Sequence, residues 1–178
     1  MPDDAVSPPS LTPVLRIDRV GFGHPDALLL IEEVQQEYVA RYGDRDDTPL
    51  DPLMFEPPAG SFYVGYADGV PVASGAWRRR GDLEVFGTTA TAEVKRMFVR
   101  DSARGQGLAR VMLAHLERTA SEGGAEAMVL ETGTAQPEAI ALYESSGYVP
   151  VPGFGHYVWS SQSRCFGKPL ATTDPQKG

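Results

Sequence analysis

The chain has 178 residues, of which 42% are hydrophobic and 22% charged; this balance excludes a disordered chain and predicts one globular domain. The net charge of -8 excludes the basic surface that nucleic-acid binding requires, so we expect no nucleic acid as a partner. The apolar runs fall well short of the ~18 residues of a membrane helix, and the acidic start predicts no secretory signal, so we expect no membrane partner either.

The first part of the chain predicts one strand and one helix, followed by a long proline-rich loop. Residues 1–12 are rich in proline, serine and aspartate, which is typical of a flexible tail. Apolar and charged residues alternate over 13–20 and predict a strand. A helix is expected from Pro25 to about Tyr42, because proline favours the first helical position and Gly43 follows the last.

The middle of the chain predicts a hairpin and a third strand. Strands are expected over 61–66 and 70–78, and the Asp-Gly dipeptide between them is typical of a two-residue hairpin turn. A further strand follows over 92–99. A loop then leads directly into an amphipathic helix over 107–121, with Leu108, Val111, Met112, Leu116 and Ala120 on its predicted apolar face.

The last part of the chain alternates between strands and helices. A short apolar strand is expected over 127–131, and a helix over 137–146, with proline at its start and glycine after its end. The remaining predicted elements are three terminal strands: 148–151, 157–160 and 163–166. Hairpins early and helical connections later predict an α/β fold, with a mixed sheet and helices on both of its faces.

Charge is distributed unevenly along the chain. Residues 1–60 hold 12 acidic and 4 basic side chains, whereas the rest of the chain is balanced. Such an excess can attract a cationic small molecule, although it can also serve only to solvate the surface. Residues 95–110 run against this trend, since they hold five basic side chains and one acidic side chain, and they indicate an anionic ligand.

The turn before the 107–121 helix has the chemistry of a phosphate site. The first N–H groups of a helix have no intrahelical acceptor, and the helix dipole adds positive charge there. Gly105 and Gly107 let the backbone close on a phosphate, and Arg104 adds a permanent cation. The turn lacks the Gly-Lys-Ser/Thr of a P-loop, and Arg110 stands where a dinucleotide motif needs its third glycine. Neither ATP nor NAD is therefore supported.

These residues carry a resemblance to a known family. The Arg-x-x-Gly-x-Ala motif at 104–109, after a strand that ends Met-Phe-Val at 97–99, resembles the acyl-CoA motif of the GNAT family of N-acetyltransferases. Residues 130–132 and 136–148 resemble the family's next strand, its CoA-facing helix and its Gly-aromatic ending. The resemblance covers about 14–168 and implies a mostly antiparallel, twisted sheet of six to seven strands.

The resemblance also implies a domain plan and a cofactor site. A single GNAT domain over 13–168 is expected to lie between flexible tails at 1–12 and 169–178. Acetyl-CoA would be the co-substrate, and a homodimer is expected by family analogy. The positions implied to bind acetyl-CoA are Met97, Phe98, Val99, Arg104, Gly105, Gln106, Gly107, Leu108, Ala109 and Gln136. Gln136 stands near the place where the family commonly has an asparagine.

The implied catalytic residues are Tyr143 and Glu93. Tyr143 matches the tyrosine that many members use as a general acid toward the CoA thiolate, and this role is favoured over the alternatives of a core aromatic or a CoA ligand only. Glu93 resembles the glutamate that acts as a general base in some members, and a solvated strand-end acid is the alternative. Glu131, at the end of the next strand, is a second candidate for the base.

The expected reaction is transfer of an acetyl group to a primary amine of a small, cationic molecule by direct attack on the thioester. The first helix and residues 43–60 and 152–160 would form the acceptor site. The alternatives are a non-catalytic acyl-CoA sensor, a protein N-acetyltransferase and a plain interaction module.

Cysteine and histidine add little chemistry to this reading. Cys165 is the single cysteine, so it cannot form an internal disulfide. This fits a reducing compartment, and we therefore expect a cytoplasmic location. We expect the thiol itself to be buried and inert. The three histidines lack ligand spacing, so no metal is expected.

Overall fold

The computed structural model describes residues 14–171, and every structural statement below refers to them. The strands are β1 (Arg16–Val20), β2 (Gly60–Ala67), β3 (Val70–Arg79), β4 (Thr91–Val99), β5 (Ala127–Gly133), β6 (Val149–Pro150) and β7 (Ser163–Pro169). The helices are α1 (Pro25–Tyr42), α2 (Leu108–Glu122) and α3 (Pro137–Ser145). The predicted tail at 1–12 lies outside the described residues. The other predicted tail lies partly outside them, and its first residue, Pro169, ends β7.

The seven strands form one sheet in the order β1-β2-β3-β4-β5-β7-β6. The neighbours β4 and β5 are parallel, and the other neighbouring pairs are antiparallel. α1 packs on one face, against Phe62 and Val64 of β2. α2 packs on the opposite face, against Tyr63 and Trp77. The predicted mixed and mostly antiparallel sheet with helices on both faces is therefore confirmed.

Both ends of α1 follow from its sequence. Pro25 occupies the first turn, and the His24 side chain accepts a hydrogen bond from the Asp26 backbone N–H. Gly43 ends the helix in the left-handed conformation, at φ 82°, and donates its N–H to the Val39 carbonyl. The predicted bounds of α1 are confirmed.

The β2–β3 hairpin has the predicted turn. Asp68 and Gly69 both have positive φ, at 50° and 77°. This is the backbone that lets a two-residue turn match the twist of the flanking strands, and Asp-Gly adopts it readily.

The apolar face of α2 differs from the prediction at one position. Val111 is 46% exposed, and Leu113 is buried in its place. At 100° per residue, a stripe through Leu108, Met112 and Leu116 drifts around the helix, so that Leu113 lies within it and Val111 lies outside.

The prediction of a strand over 157–160 is wrong. Residues 155–159 form turns that begin at Gly155, which has φ 88°, and the last strand starts only at Ser163. The Tyr157 hydroxyl donates to the Asp47 carboxylate at 2.6 Å, so this segment packs against another loop and not against a strand.

Gly60, at the start of β2, gives a direct test of this packing. A Cβ at this position would collide with the backbone carbonyl oxygens of Met54 and Trp77. We expect Gly60→Ala to lower the free energy of unfolding by about 2–3 kcal/mol, measured by urea denaturation. Gly81→Ala is the matched control, because a Cβ there meets nothing within 4 Å. Equal stability of the two variants would contradict the packing described.

Candidate active site

The site begins where β4 and β5 part. Their parallel pairing spans three register pairs and ends at Glu93↔Val129, although β4 continues to Val99 and β5 to Gly133. A bulge in β4 accompanies the parting: Arg96 has φ 53°, and the β3–β4 register shifts beside it. The β5-facing edge of the second half of β4 is thereby left without a strand partner.

A cavity of about 770 Å³ occupies this opening. One end is formed by the turn before α2 and by α3, and the other end by residues 44–48 and 156–163. Of the predicted CoA-binding residues, those that line the cavity are Met97, Phe98, Val99, Arg104, Gly105, Gly107, Leu108, Ala109 and Gln136. Gln106 does not line it, although its neighbours do. The structure thus brings nine of the ten positions to one cavity.

The turn before α2 presents unpaired N–H groups to the cavity. Gly105 and Gly107 are left-handed, at φ 77° and 76°, and a Cβ on either would meet nothing within 4 Å. The Val111 N–H is the first to bond back into α2, to the Gly107 carbonyl at 3.2 Å. Within residues 14–171, the six backbone N–H groups from Gly105 to Arg110 have no hydrogen-bond acceptor. Such a row of donors, next to the positive end of a helix dipole, can hold a pyrophosphate.

Most of the basic stretch at 95–110 is neutralised by acids from α1 and the loop after it. Arg104 pairs with Glu37 at 2.6 Å and also donates to the Val99 carbonyl. The other such pairs are Arg96–Asp46 at 2.5 Å and Arg100–Glu33 at 2.7 Å. The predicted anion site therefore depends more on backbone amides than on these guanidinium groups.

Arg110 is a cavity-lining cation of this stretch that was not among the predicted CoA-binding residues. It lines the cavity, and its guanidinium donates to the hydroxyls of Ser145 and Ser146 at 2.8 Å and 3.0 Å. In the described part of the chain, no carboxylate pairs with it. Its position in the first turn of α2, three residues after Gly107, was the available signal.

Tyr143 lies on α3, where it lines the cavity and is 6% exposed. Its ring packs edge-to-face on Tyr148. Burial raises the pKa of Tyr143, so the phenol stays protonated at neutral pH. Its hydroxyl has no hydrogen-bond partner among the described residues and can serve a ligand as a donor.

Glu93 is placed differently from the expectation of a base in the site. It is buried, does not line the cavity, and accepts hydrogen bonds at its Oε2 from Arg78 at 3.0 Å and Arg80 at 2.6 Å. Glu131 does line the cavity, and burial raises its pKa. Among the described residues, no cation lies within ion-pairing distance of it. The cavity therefore brings together Tyr143 and Glu131, and leaves Glu93 outside.

The predicted acceptor loops meet at the other end of the cavity. The Asp47 carboxylate accepts hydrogen bonds from Tyr157 and is 2.9 Å from His156. Of the acidic side chains of α1, Glu32 and Glu33 do not line the cavity, and each is paired with an arginine. In the described part of this region, residues 14–60, most of the acidic side chains are thus paired within the fold.

Two further properties concern the described residues as a whole. None of their helices is both long and apolar enough to cross a bilayer. No group of three or more potential metal-ligating side chains is found in the part of the chain that the structure describes. Cys165 is a buried free thiol.

Comparison with known proteins gives consistent results. The model of the acetyltransferase (GNAT) family matches residues 29–148. An IAA acetyltransferase from Azospirillum brasilense is 33% identical over 141 residues, which cover 79% of this chain and 88% of that protein. The crystal structure of a proposed acyl-CoA N-acyltransferase from Klebsiella pneumoniae has a TM-score of 0.70 at 26% identity, and the match covers 89% of this chain and 99% of that one. PaiA N-acetyltransferase from Thermoplasma acidophilum, solved with coenzyme A, has a TM-score of 0.64 at 11% identity, covering 88% and 99%.

The fold of this chain is that of these solved acyltransferase and acetyltransferase structures. The family model covers about two thirds of the chain, and the relative from Azospirillum brasilense is 33% identical to it. The chain therefore belongs to the GNAT family of acetyltransferases. The resemblance inferred from the 104–109 motif is confirmed.

Gly107 allows a test of the turn. A valine there would put a side chain among the free N–H groups, so we expect Gly107→Val to weaken CoA binding at least ~100-fold in calorimetry, with the fold retained. Gly87→Val is the control, because Gly87 has nearly the same φ, 75°, and open space, but lies outside the cavity. It carries the same backbone strain, about 1–2 kcal/mol, and should bind CoA normally. Normal binding by Gly107→Val would rule out the turn as the diphosphate site.

Proposed function

We propose that this protein transfers the acetyl group of acetyl-CoA to the primary amine of a small molecule, by direct attack of the amine on the thioester. The observation that carries the proposal is that one cavity is lined by Tyr143, by Glu131 and by the turn from Gly105 to Arg110 with its unpaired N–H groups, Gln106 excepted. These are the groups needed to hold a diphosphate, to donate a proton and to accept one.

The residues present fit acetyl-CoA. The unpaired N–H groups suit the diphosphate, and Arg110 adds a cation without a carboxylate partner. The unpaired edge of β4 at 97–99 offers backbone groups to the pantetheine arm. When bound, acetyl-CoA supplies an activated acyl carbon and a thiolate leaving group. An N–H of the strand end, near Phe98, is proposed to polarise the acyl carbonyl.

Glu131 is proposed to take the proton that the amine must lose. A small amine arrives mainly as an ammonium ion, and a carboxylate without an ion pair attracts it. The pKa of Glu131 is raised above that of an ordinary glutamate, which makes it a better proton acceptor. The deprotonated nitrogen then forms the amide C–N bond as the C–S bond breaks. Glu93 is already held by Arg78 and Arg80, so its proposed role is structural.

Tyr143 is proposed to complete the reaction. Its protonated phenol, without an internal partner, can donate a hydrogen bond or a proton to the departing thiolate. The nitrogen loses its second proton as the amide forms, and this proton restores the phenol of Tyr143; the proton taken by Glu131 is returned to solvent. No bond forms between the acetyl group and the protein.

The proposal is tested by thiol release from acetyl-CoA with a panel of small amines, amino acids and polyamines. Release that depends on an amine supports it. Thermal stabilisation by CoA without release with any member of the panel, or with peptides, would instead support a non-catalytic sensor. Release with peptides or proteins alone would support a protein N-acetyltransferase. A cytoplasmic location and a homodimer accompany the proposal as predictions.

Tyr143 allows a test of the acid. We expect Tyr143→Phe to lower kcat by ~10- to 1,000-fold and to change the Kd of acetyl-CoA much less, because the hydroxyl acts on the leaving group. Tyr148→Phe is the control, since the Tyr148 hydroxyl bonds Glu117 outside the cavity. Equal losses in kcat and in binding would make Tyr143 a binding residue only.

Glu131 allows a test of the base. Its carboxylate must be ionised to accept a proton, so activity should fall as the pH drops through its raised pKa. We expect Glu131→Gln to lower kcat by ~100-fold or more and to remove this acidic limb of the pH–rate profile. Glu93→Gln should mainly lower stability, because it leaves the half-buried Arg78 without its carboxylate and Arg80 with Asp82 alone. An unaltered acidic limb in Glu131→Gln would remove Glu131 from the mechanism.

A further inference from the structure

Two neighbouring basic residues, Lys95 and Arg96, line the cavity at the bulge in β4. Arg96 is held by Asp46, and its Nε is buried without a hydrogen-bond partner in the described part of the chain. The Asp46 carboxylate therefore balances the charge of Arg96 within the fold.

Lys95 is the less satisfied of the two. Its side chain is 12% exposed, and its Nζ makes no hydrogen bond to any described residue. Its nearest carboxylate, Glu93, is 3.8 Å away and is already bound by Arg78 and Arg80. Three cations, Arg78, Arg80 and Lys95, thus share two carboxylates, those of Glu93 and Asp82. A largely buried ammonium group thus faces the cavity with hydrogen-bonding capacity to spare.

Glu131 stands opposite Lys95. The last paired residues of the two parallel strands are Glu93 and Val129, and Lys95 and Glu131 each lie two residues further along. Two residues along a strand restore the same face, so both side chains project from one side of the sheet across the opening. No ion pair joins them, although each lines the cavity. A positive and a negative group are thus held apart across a space that opens to ligands.

We propose that the acceptor is a small amine that also carries a carboxylate, an α-amino acid, with its ammonium group at Glu131 and its carboxylate at Lys95. The proposal rests on the proposed function and names the substrate class of the same site. A zwitterion matches both groups at once, since its opposite charges are separated by a single carbon. An amine without the carboxylate leaves the largely buried Lys95 ammonium with only the Glu93 carboxylate, which it shares with Arg78 and Arg80, and so forgoes a favourable contact.

The test compares each α-amino acid with its own amide in the thiol-release assay. We expect kcat/KM to be ~10-fold or more higher for the acid of the preferred pair. Amidation lowers the basicity of the amine, so that a larger fraction of the amide is deprotonated and able to attack the thioester. A higher kcat/KM for the acid would therefore reflect recognition of its carboxylate and not a more reactive amine. Amides or simple amines that react as well as the acids throughout the panel would overturn the inference and leave the acetyltransferase proposal standing. No release with any amine would overturn both.

Variants test the role of Lys95. In Lys95→Met we expect the acid-to-amide ratio of kcat/KM to fall to near one, with an unchanged Kd for acetyl-CoA. Lys168→Met is the matched control, because it removes an ammonium that pairs with Glu117 outside the cavity, and the ratio should persist. Lys95→Arg keeps the charge and should keep the preference. If a folded Lys95→Met variant kept the whole preference for the acid over the amide, the assignment of Lys95 to the substrate carboxylate would be overturned. If that variant does not fold, the comparison of acids with amides on the unmodified protein still tests the proposed substrate class.

Discussion

The separation of β4 from β5 is the constraint on which the site depends. The two strands pair at Thr91, Ala92 and Glu93 and then diverge, with a bulge at Arg96. A fully paired β5 would occupy the edge of β4 that is proposed to receive the pantetheine arm. It would also close the cavity into which Tyr143 opens from α3. The opening is stable because the rest of the sheet holds both strands: β3 pairs with β4 on one side, and β7 pairs with β5 along all of its seven residues.

The same separation organises the charges. The acid-rich first third and the basic stretch at 95–110 come together in the fold, where Glu33 and Glu37 of α1 pair with Arg100 and Arg104. Partly exposed pairs of this kind contribute only about 0–1 kcal/mol each, so their main effect is to position α1 beside the open turn. What remains available to ligands is a smaller set of groups: unpaired backbone N–H groups, Arg110, Lys95 and Glu131.

Much of the fold could be predicted from the sequence because the signals are local. Pro25 and Gly43 delimit α1, Asp-Gly forms the hairpin turn, and two glycines precede α2. Tyr143 was expected at the acyl-CoA site from the family resemblance, and it lines the cavity. The two errors, the buried position of Val111 and the strand over 157–160, arose where packing against distant segments decides the outcome.

The acid–base and charge details depend on register, which the sequence does not reveal. Glu93 is buried between arginines that lie 15 and 13 residues before it and that reach it only through the β3–β4 pairing. Glu131 and Glu93 look alike as strand acids, and only the end of the β4–β5 pairing separates their environments. The place of Lys95 in the cavity depends on where β4 parts from β5, beside a bulge at the non-glycine residue Arg96, for which the sequence carries no clear signal.

The central claim is that the turn from Gly105 to Arg110 holds the diphosphate of acetyl-CoA through its backbone N–H groups. The most direct measurement is a titration of the ¹⁵N-labelled protein with acetyl-CoA, followed by the backbone amide resonances of these six residues. The account predicts large, saturable shifts for these amides, with slowed exchange of their hydrogens. Saturable shifts confined to other parts of the protein, with these six resonances unmoved, would contradict it.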